Sequence, residues 1–240
     1  MDNWRINKGA VLAAGGGSRL QPLTGTYPKV LLPVQGKPII RYPVEAMAAA
    51  GVEQIAVVVG YLADEVMAAL GDGNRFGVRL DYILNQDYGG GNAISVSKVR
   101  AWVAGVPFVL CMGDHIIEPE IVSRLVNKSP IAETLCVDFS PAEQHNLAEA
   151  TKVVIDSTGG IICIGKGLPY WDALDTGVFL LTKKFLGAID ELSPQLGIDI
   201  EVSQVIQFMV SRGDRFATCD VSGCFWMDVD TEEDLKCVTA

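Results

Sequence analysis

The sequence predicts an α/β fold with a Rossmann-like, mixed and mostly parallel sheet flanked by helices. Apolar runs alternate with amphipathic stretches along the first half of the chain, as strands and helical crossovers do. The run Val106–Met112 is apolar at nearly every position, as expected of a strand covered on both faces. The 240 residues are 49% hydrophobic and contain no linker or repeat, so we expect a single domain over residues 1–240.

In the first half, short apolar runs predict the strands, and apolar residues recurring every three to four positions predict the helices. The strands are predicted at Gly9–Ala14, Gln54–Val59, Val78–Leu84 and Val106–Met112. Helices are predicted from about Pro38 (with Ile40, Val44 and Met47 on one face), over the stripe Leu62, Val66 and Leu70, and over Asn92–Trp102. Gly71 ends the second helix, since glycine readily adopts the left-handed backbone found after helices.

The second half carries shorter apolar runs, which we expect to extend the sheet. Strands are predicted at Thr134–Phe139, Lys152–Asp156, Ile161–Ile164 and Val178–Leu181. The spacing of Val202, Val205, Ile206 and Met209 predicts a helix. Thr231-Glu232-Glu233-Asp234 has the pattern of a capping box that opens the last helix.

Composition narrows the possible partners and sites. The net charge of −10 disfavours a nucleic-acid backbone or an anionic membrane as partner. Six scattered cysteines without a CxxC pair, and only two histidines, disfavour a structural zinc site. There is no secretory signal ahead of the first strand and no apolar run near the ~20 residues that span a bilayer, so we expect a cytoplasmic protein. A homo-oligomer remains open.

The segment AVLAAGGGSRLQPLTGTYPKVLLPV, residues 10–34, predicts a loop that binds phosphate groups. Gly15–Gly17 lack side chains, so their backbone N–H groups can approach anionic oxygens closely. Arg19 and Lys29 supply fixed positive charge. The segment is neither a Walker loop, because Gly-Lys-Ser/Thr is missing, nor a dinucleotide fingerprint, because Leu20 stands where the third glycine belongs. A plain glycine-rich turn with two solvated cations is the alternative.

Two further segments carry polar groups at the predicted ends of strands. Asp114 follows the most buried strand, where open α/β sheets place their ligands, and a carboxylate beside a polyphosphate suits Mg²⁺. The alternative is an ordinary turn aspartate. In the segment 85–92, Asn85, Gly91 and Asn92 could recognise a base through side-chain amides and close backbone. Alternatively, this segment is only a helix entry capped by Asn92.

Residues 10–34 resemble the signature of the sugar-1-phosphate nucleotidyltransferases, LAAGxGxRLxPLTxxxPKxLLPV. The resemblance implies the nucleotide-diphospho-sugar transferase fold and transfer of a nucleoside monophosphate to a phosphorylated acceptor, with release of pyrophosphate. It also implies that residues 1–130 form a nucleotide-binding half and residues 131–240 an acceptor-binding half. The implied nucleotide contacts come from the backbone of Leu12 and Ala13, the loop Gly15, Gly16, Gly17 and Ser18, Arg19 at the outer phosphates, and Lys29 at the α-phosphate.

The family resemblance also implies a pair of metal-binding carboxylates. Asp114 occupies the family's Gly-Asp position, and Asp228 occupies the W-x-D element near the end of the chain. Asp230 is the weaker candidate, since binding the backbone before Thr231 suits it. This chain has Gly90-Gly91-Asn92 where the family often has Thr-Gly-Asn, and thus lacks a hydroxyl at the base or sugar.

Four short segments are similar to the inositol-1-phosphate cytidylyltransferases: residues 113–115, 149–153, 164–166 with 175–177, and 226–230. The similarity implies Mg²⁺-dependent reaction of CTP with inositol 1-phosphate to CDP-inositol and pyrophosphate. Lys166 would bind the acceptor phosphate, with Glu149 and Thr176 facing the polyol ring and His115 nearby. No general base is needed, because a phosphate monoester with a second pKa of about 6 is already a dianion at neutral pH.

Two alternatives and one default assignment accompany this interpretation. The chain could instead transfer a uridylyl or thymidylyl group to a hexose 1-phosphate, or be a non-catalytic nucleotide-sensing subunit. The second is disfavoured because Arg19, Lys29, Asp114 and Asp228 are all present. His145 lies in a polar stretch, which predicts a surface position.

Overall fold

A computed structural model describes residues 5–20, 24–128, 131–142 and 145–239. Within these ranges the chain forms strands β1 to β13 and helices α1 to α8. The strands are β1 Lys8–Ala13, β2 Pro33–Val34, β3 Lys37–Pro38, β4 Gln54–Val59, β5 Arg79–Leu84, β6 Phe108–Met112, β7 His115–Ile117, β8 Thr134–Asp138, β9 Lys152–Ile155, β10 Ile161–Gly165, β11 Ala173–Leu181, β12 Ala217–Asp220 and β13 Trp226–Asp228.

The helices alternate with these strands. They are α1 Arg41–Ala49, α2 Ala63–Leu70, α3 Asn92–Lys98, α4 Arg100–Val103, α5 Pro119–Val126, α6 Lys183–Leu196, α7 Val202–Ser211 and α8 Glu232–Thr239. Single turns of 3₁₀ helix lie at Ser18–Leu20, Lys29–Leu31 and Asn74–Phe76. No helix in the described ranges is long and apolar enough to cross a bilayer.

A nine-stranded mixed sheet forms the centre of the molecule. Its main path runs β10-β9-β11-β6-β1-β4-β5, with β8 beside β11 and β12 beside β8. Strands β6, β1, β4 and β5 are parallel, whereas β11 runs antiparallel to β6, β8 and β9. Helices cover both faces, so the predicted fold class is confirmed.

Alternation along β1 shows how the sheet is buried on both sides. Val11 packs into one hydrophobic core with the residues of α1, α2 and α5, and Leu12 packs into the other with those of α3, α6 and α7. Because side chains of a strand point alternately to opposite faces, one apolar strand serves both cores. A third, smaller core joins Leu20, Ile39, Met227 and neighbouring residues under the glycine loop.

The element predictions differ from the structure at several places, and the short strands β2, β3, β7 and β12 were not predicted. The first helix begins at Arg41 rather than near residue 38; Pro43 is tolerated because N–H groups of the first turn have no intrahelical partner. The predicted helix Asn92–Trp102 is interrupted at Val99, between α3 and α4. Helix α5 was not predicted. Strand β11 begins at Ala173, five residues before the predicted Val178. The prediction missed these residues because Asp175, Thr176 and Gly177 interrupt the apolar run.

Close backbone packing fixes the strand ends that carry the site. The N–H of Gly113 donates to the Leu12 carbonyl at 2.9 Å. A Cβ atom at position 113 would lie 2.4 Å from that same oxygen. Only glycine therefore lets the chain leave β6 directly across the end of β1, which brings Asp114 to the start of the glycine loop.

The glycines before α3 serve a similar close approach. The N–H of Gly91 donates to the carbonyl of Ile198 at 2.9 Å, and Ala93 N–H donates to that of Ile200 at 3.0 Å. A Cβ atom would lie 2.5 Å from the Ile198 oxygen at Gly90 and 2.2 Å from the Ile200 oxygen at Gly91. Gly90 and Gly91 are thus required for close packing against the backbone of residues 198–200, apart from the predicted contact of this segment with a base.

Replacement of Gly91 by alanine is expected to destabilise the fold by about 1–3 kcal/mol, because the added methyl group collides with backbone that cannot rotate away. Urea denaturation followed by circular dichroism measures the loss. Gly89→Ala is the matched control, since nothing lies within 4 Å of a Cβ atom there. Equal stabilities of the two variants would contradict the packing explanation.

Candidate active site

A cavity of about 520 Å³ opens at the carboxyl ends of β1 and β6. A smaller cavity of about 250 Å³ adjoins it beneath the glycine loop. The predicted site residues that line one or both are Leu12, Ala13, Gly15, Gly17, Arg19, Lys29, Asn92, Asp114, His115, Glu149, Lys166 and Asp228. Residues more than 200 positions apart in the sequence therefore share one site.

The glycine loop follows β1 and rests on the stem of Lys29. Gly17 has a φ of +61°, and a Cβ atom there would lie 2.7 Å from the Cβ atom of Lys29. Thr24 Oγ1 donates to the Gly17 carbonyl at 2.7 Å, which fixes the loop. Gly15 is open, with nothing within 4 Å of a Cβ atom, whereas Gly16 lies against Tyr61. Gly15 thus presents free backbone to the cavity.

Two members of the predicted loop motif stay without a structural account. Ser18 begins the 3₁₀ turn Ser18–Leu20, but its side chain is outside the described part of the structure. Pro22 lies in residues 21–23, which are also outside the described residues.

The ammonium of Lys29 is held between two carboxylates. Its Nζ atom lies 2.7 Å from Asp114 Oδ2 and 2.5 Å from Asp230 Oδ1. Only 6% of the residue is exposed. Burial alone would lower the pKa of Lys29, but the two carboxylates outweigh it and raise that pKa. The pKa of Asp114 is lowered, because Lys29 and His115 together outweigh the effect of burial. Lys29 is therefore a permanently charged group at the floor of the site.

His115 is surrounded by carboxylates. Its Nδ1 lies 3.0 Å from Asp114 Oδ1, and in the antiparallel pair β7–β13 it stands opposite Asp228. Burial lowers the pKa of His115, yet the bond to Asp114 and the charges of Asp114, Asp228 and Asp175 raise it above its usual value. A Cβ atom at Gly177 would lie 2.6 Å from the ring, so the imidazole fits only against glycine.

Three carboxylates, those of Asp114, Asp228 and Asp230, line the two cavities. The N–H of Val229 donates to the Asp114 carbonyl at 3.1 Å, so the end of β13 lies against Asp114. Asp228 lines the larger cavity together with Asp114. Asp230 lines both cavities and also pairs with Arg19 at 3.1 Å. No cluster of three or more metal-binding side chains occurs among the described residues.

The donor chemistry fits Mg²⁺, which takes one or two carboxylates and completes its shell with phosphate oxygens and water. Carboxylates outnumber cationic side chains around the two cavities. A nucleoside triphosphate would be repelled by such a lining unless a cation came with it. The electrostatics of the site therefore agree with the metal that the sequence predicts.

The side of the cavity where the sequence predicts the acceptor is formed by residues 145–151 and the end of β10. Glu149 Oε2 lies 3.5 Å from both Arg19 Nη1 and Lys166 Nζ. It thus links the cation expected at the nucleotide to the cation expected at the acceptor phosphate. All three side chains are about half exposed, so they can exchange these contacts for substrate.

The predicted surface position of His145 is wrong. The residue is 8% exposed, lines the larger cavity and stacks on Trp226, with ring centroids 4.1 Å apart. Burial lowers its pKa. Trp226 in turn donates from Nε1 to Asp138 Oδ2 at 2.9 Å. The stack anchors the wall formed by residues 145–151 on β13, the strand that carries Asp228.

Four predicted contact residues, Gly16, Asn85, Gly91 and Thr176, line neither cavity. Asn85 is fully buried; its amide donates to Ser95 Oγ at 2.9 Å, and its oxygen accepts from Asp87 N–H at 2.9 Å. Thr176 is also fully buried and donates to the Cys136 carbonyl at 3.0 Å. Both polar groups are satisfied within the protein, so neither is available to a ligand.

Asn92 combines both interpretations of its segment. Its Oδ1 accepts from the N–H of Val202 at 2.7 Å, so it ties α3 to the start of α7, and it also lines the cavity. Sequence reasoning missed Glu201 and Asp175, which line the cavity as well. The alternation of side chains along a strand would have identified Asp175. Because Thr176 is buried in the protein, its neighbour Asp175 points to the opposite face of the strand, toward the cavity.

Comparisons with known proteins agree with this arrangement. The family model for nucleotidyl transferases matches residues 8–239. A bifunctional IPC transferase and DIPP synthase of Rubrobacter xylanophilus is 34% identical over 228 residues, which are 95% of this chain and 50% of the relative. A glucose-1-phosphate thymidylyltransferase of Streptomyces griseus is 28% identical over 234 residues, which are 95% of this chain and 64% of the relative.

The solved structure of the inositol-1-phosphate CTP transferase from T. maritima is similar, with a TM-score of 0.85 and 28% identity over 96% of this chain and 92% of that one. The chain spans about half to two thirds of the length of the two curated relatives described above. Because the family model extends over almost all 240 residues, from β1 through the glycine loop to α8, the chain belongs to the nucleotidyl transferase family.

Proposed function

We propose that this chain transfers a cytidylyl group from CTP to inositol 1-phosphate, giving CDP-inositol and pyrophosphate. An oxygen of the acceptor phosphate forms a bond to the α-phosphorus of CTP, and the bond from that phosphorus to the leaving pyrophosphate breaks. The observation that carries the proposal is the ammonium of Lys29, fixed between Asp114 and Asp230 beside the open glycine loop. It supplies preorganised positive charge at the place where a transferred phosphate would lie.

The roles of the remaining cations follow from their positions. Arg19 is about half exposed on the loop side and suits the outer phosphates of the nucleotide. Lys166 stands across the cavity, beyond Glu149, and suits the acceptor phosphate. The acceptor needs no base, since its phosphate is largely a dianion at neutral pH. Catalysis then consists of alignment and charge neutralisation by the chain's own side chains.

Asp114 and Asp228 would hold the Mg²⁺ ion, with Asp230 as the alternative partner of Asp114. The bound ion would neutralise charge on the phosphates of the nucleotide. Since Lys29 already contacts Asp114 and Asp230 but not Asp228, the carboxylate of Asp228 remains the freer ligand.

Two features favour a polyol acceptor over a hexose. Four short segments, among them residues 164–166 with 175–177, are similar to the inositol-1-phosphate cytidylyltransferases, and the relatives named above include an IPC transferase and an inositol-1-phosphate CTP transferase. The alternative, thymidylyl or uridylyl transfer to a hexose 1-phosphate, is supported by the thymidylyltransferase relative.

A matrix of nucleotides and acceptors decides between these two. CTP, UTP, dTTP, ATP and GTP are each combined with inositol 1-phosphate, glucose 1-phosphate and glycerol 3-phosphate, and pyrophosphate release is measured. We expect the largest kcat/KM for CTP with inositol 1-phosphate. A larger value for dTTP with glucose 1-phosphate would establish the alternative, and binding without pyrophosphate release would indicate a nucleotide sensor.

The metal assignment is tested with three single variants, Asp114→Asn, Asp228→Asn and Asp230→Asn. The first two are expected to lower kcat at least ~100-fold and to raise the Mg²⁺ concentration for half-maximal rate, because each removes a charged ligand. Asp230→Asn is expected to leave that concentration unchanged. Asp220→Asn, at an exposed position, is the control. A larger shift in metal dependence for Asp230→Asn than for Asp228→Asn would exchange their roles.

Lys29→Met is expected to lower kcat about 10²- to 10³-fold, the usual effect of removing a preorganised charge at the reacting group. The change is measured at saturating substrates, together with the melting temperature. Lys37→Met is the control, because Lys37 also pairs with a carboxylate, that of Glu45 at 2.8 Å, but lies outside both cavities. A kcat within fivefold of the parent would remove Lys29 from the mechanism.

A further inference from the structure

We propose that Asp175 determines acceptor specificity by accepting hydrogen bonds from ring hydroxyl groups of the phosphorylated acceptor. The inference rests on the proposed function, which it deepens: it requires a polyhydroxylated ring next to the acceptor phosphate. Asp175 lines the larger cavity and has no part in the transfer described above.

The backbone around Asp175 holds its carboxylate in one orientation. Its N–H donates to the Thr151 carbonyl at 2.9 Å, and its Oδ1 accepts from the N–H of Gly177 at 2.8 Å. The register of β11 against β8 shifts between Asp175 and Phe179, and Gly177 has a φ of +74°. Asp175 and Gly177 both line the cavity, whereas Thr176 between them is buried on the other side.

The second oxygen of Asp175 is free to bind a ligand. Within the described ranges this oxygen has no hydrogen-bond partner, and it remains accessible from the cavity. No lysine or arginine pairs with it in the described part of the chain. Burial raises the pKa of Asp175 to about 6, and nearby Asp228 adds to this shift while the Gly177 N–H and His115 oppose it. A donor from a ligand would relieve the cost of this charge.

The distance from Lys166 matches a ring that carries a phosphate. Lys166 follows β10, Thr151 precedes β9, and Asp175 lies in β11, and these are three adjacent strands. Gly165 pairs with Lys152, and Lys152 pairs with Leu174, so the three positions lie along one line across the sheet. Two strand spacings separate the outer positions by about 10 Å. A phosphate at Lys166 thus leaves its ring beside Asp175.

Hydroxyl groups suit this place for a chemical reason. A carboxylate only accepts hydrogen bonds, and a ring hydroxyl donates one while accepting another from a neighbour such as His115 or a backbone N–H. Hydrogen bonds to an ionised carboxylate are roughly twice as strong as neutral ones. An acceptor with an ammonium group would also be attracted to Asp175 by charge, and it serves as the competing ligand in the test.

The test is calorimetric titration of the whole chain with inositol 1-phosphate and with cyclohexyl phosphate, which has the same ring without hydroxyls. Asp175→Asn is expected to weaken binding of inositol 1-phosphate 10- to 100-fold and to leave cyclohexyl phosphate within twofold. Asp172→Asn is the matched control: it makes the same exchange just before β11, at an exposed residue that does not line the cavity. It should change neither affinity.

Equal losses for both ligands would mean that Asp175 only supports the fold, and no loss for either would also overturn the proposal. Tighter binding of phosphocholine than of inositol 1-phosphate to the parent would overturn the assignment to hydroxyl groups. If Asp175→Asn does not fold, monodeoxy inositol phosphates are titrated against the parent, and at least one must bind tenfold more weakly.

Turnover separates this inference from the proposed function. Selective loss of inositol 1-phosphate binding in Asp175→Asn, without pyrophosphate release from any nucleotide by the parent, would end the proposed transfer and leave the acceptor site standing. Transfer to inositol 1-phosphate at equal kcat/KM by the parent and Asp175→Asn would overturn the role of Asp175 and leave the proposed transfer standing.

Discussion

The ion-pair cluster of Lys29 with Asp114 and Asp230 is the interaction on which the site depends. It joins three segments that are far apart in the sequence: the turn after the glycine loop, the end of β6, and the residue pair before α8. A nearly buried ammonium is tolerated because two carboxylates, each about one third exposed, compensate its loss of water. The cluster therefore holds the three segments together at this edge of the sheet. It also fixes the positive charge of Lys29 where a bound phosphate group would lie.

Sheet packing explains why these groups meet at all. Parallel strands β1 and β6 end at the same edge of the sheet. Because Gly113 has no side chain, the backbone after β6 can pack against the end of β1. Sequence reasoning predicted this part well, because buried parallel strands leave long apolar runs and the polar residues follow them directly. Strand β4 was predicted at its observed bounds. The glycine loop and Lys29 were also found, since their motif is contiguous.

The remainder could not be predicted because it depends on contacts across the chain. Asn85 and Thr176 have the residue types of ligand-binding groups, yet partners such as Ser95 and Cys136 satisfy them internally. Asp230 was the less favoured acid, and only the folded chain shows it on Lys29. His145 has few apolar neighbours in sequence, so nothing local predicted its stack on Trp226. Whether a polar group faces the protein or the cavity is decided by tertiary packing.

The stack of His145 on Trp226 has a consequence for how such an enzyme can diverge. Trp226 stands two residues before Asp228 and is tied to β8 through Asp138. The wall formed by residues 145–151, proposed to contact the acceptor, is thus packed directly on the strand that carries Asp228, the proposed metal ligand. Enzymes that acquire a different acceptor through changes in residues 145–151 must therefore keep an aromatic partner for the indole of Trp226. Without that partner, the end of β13 that carries Asp228 would shift as well.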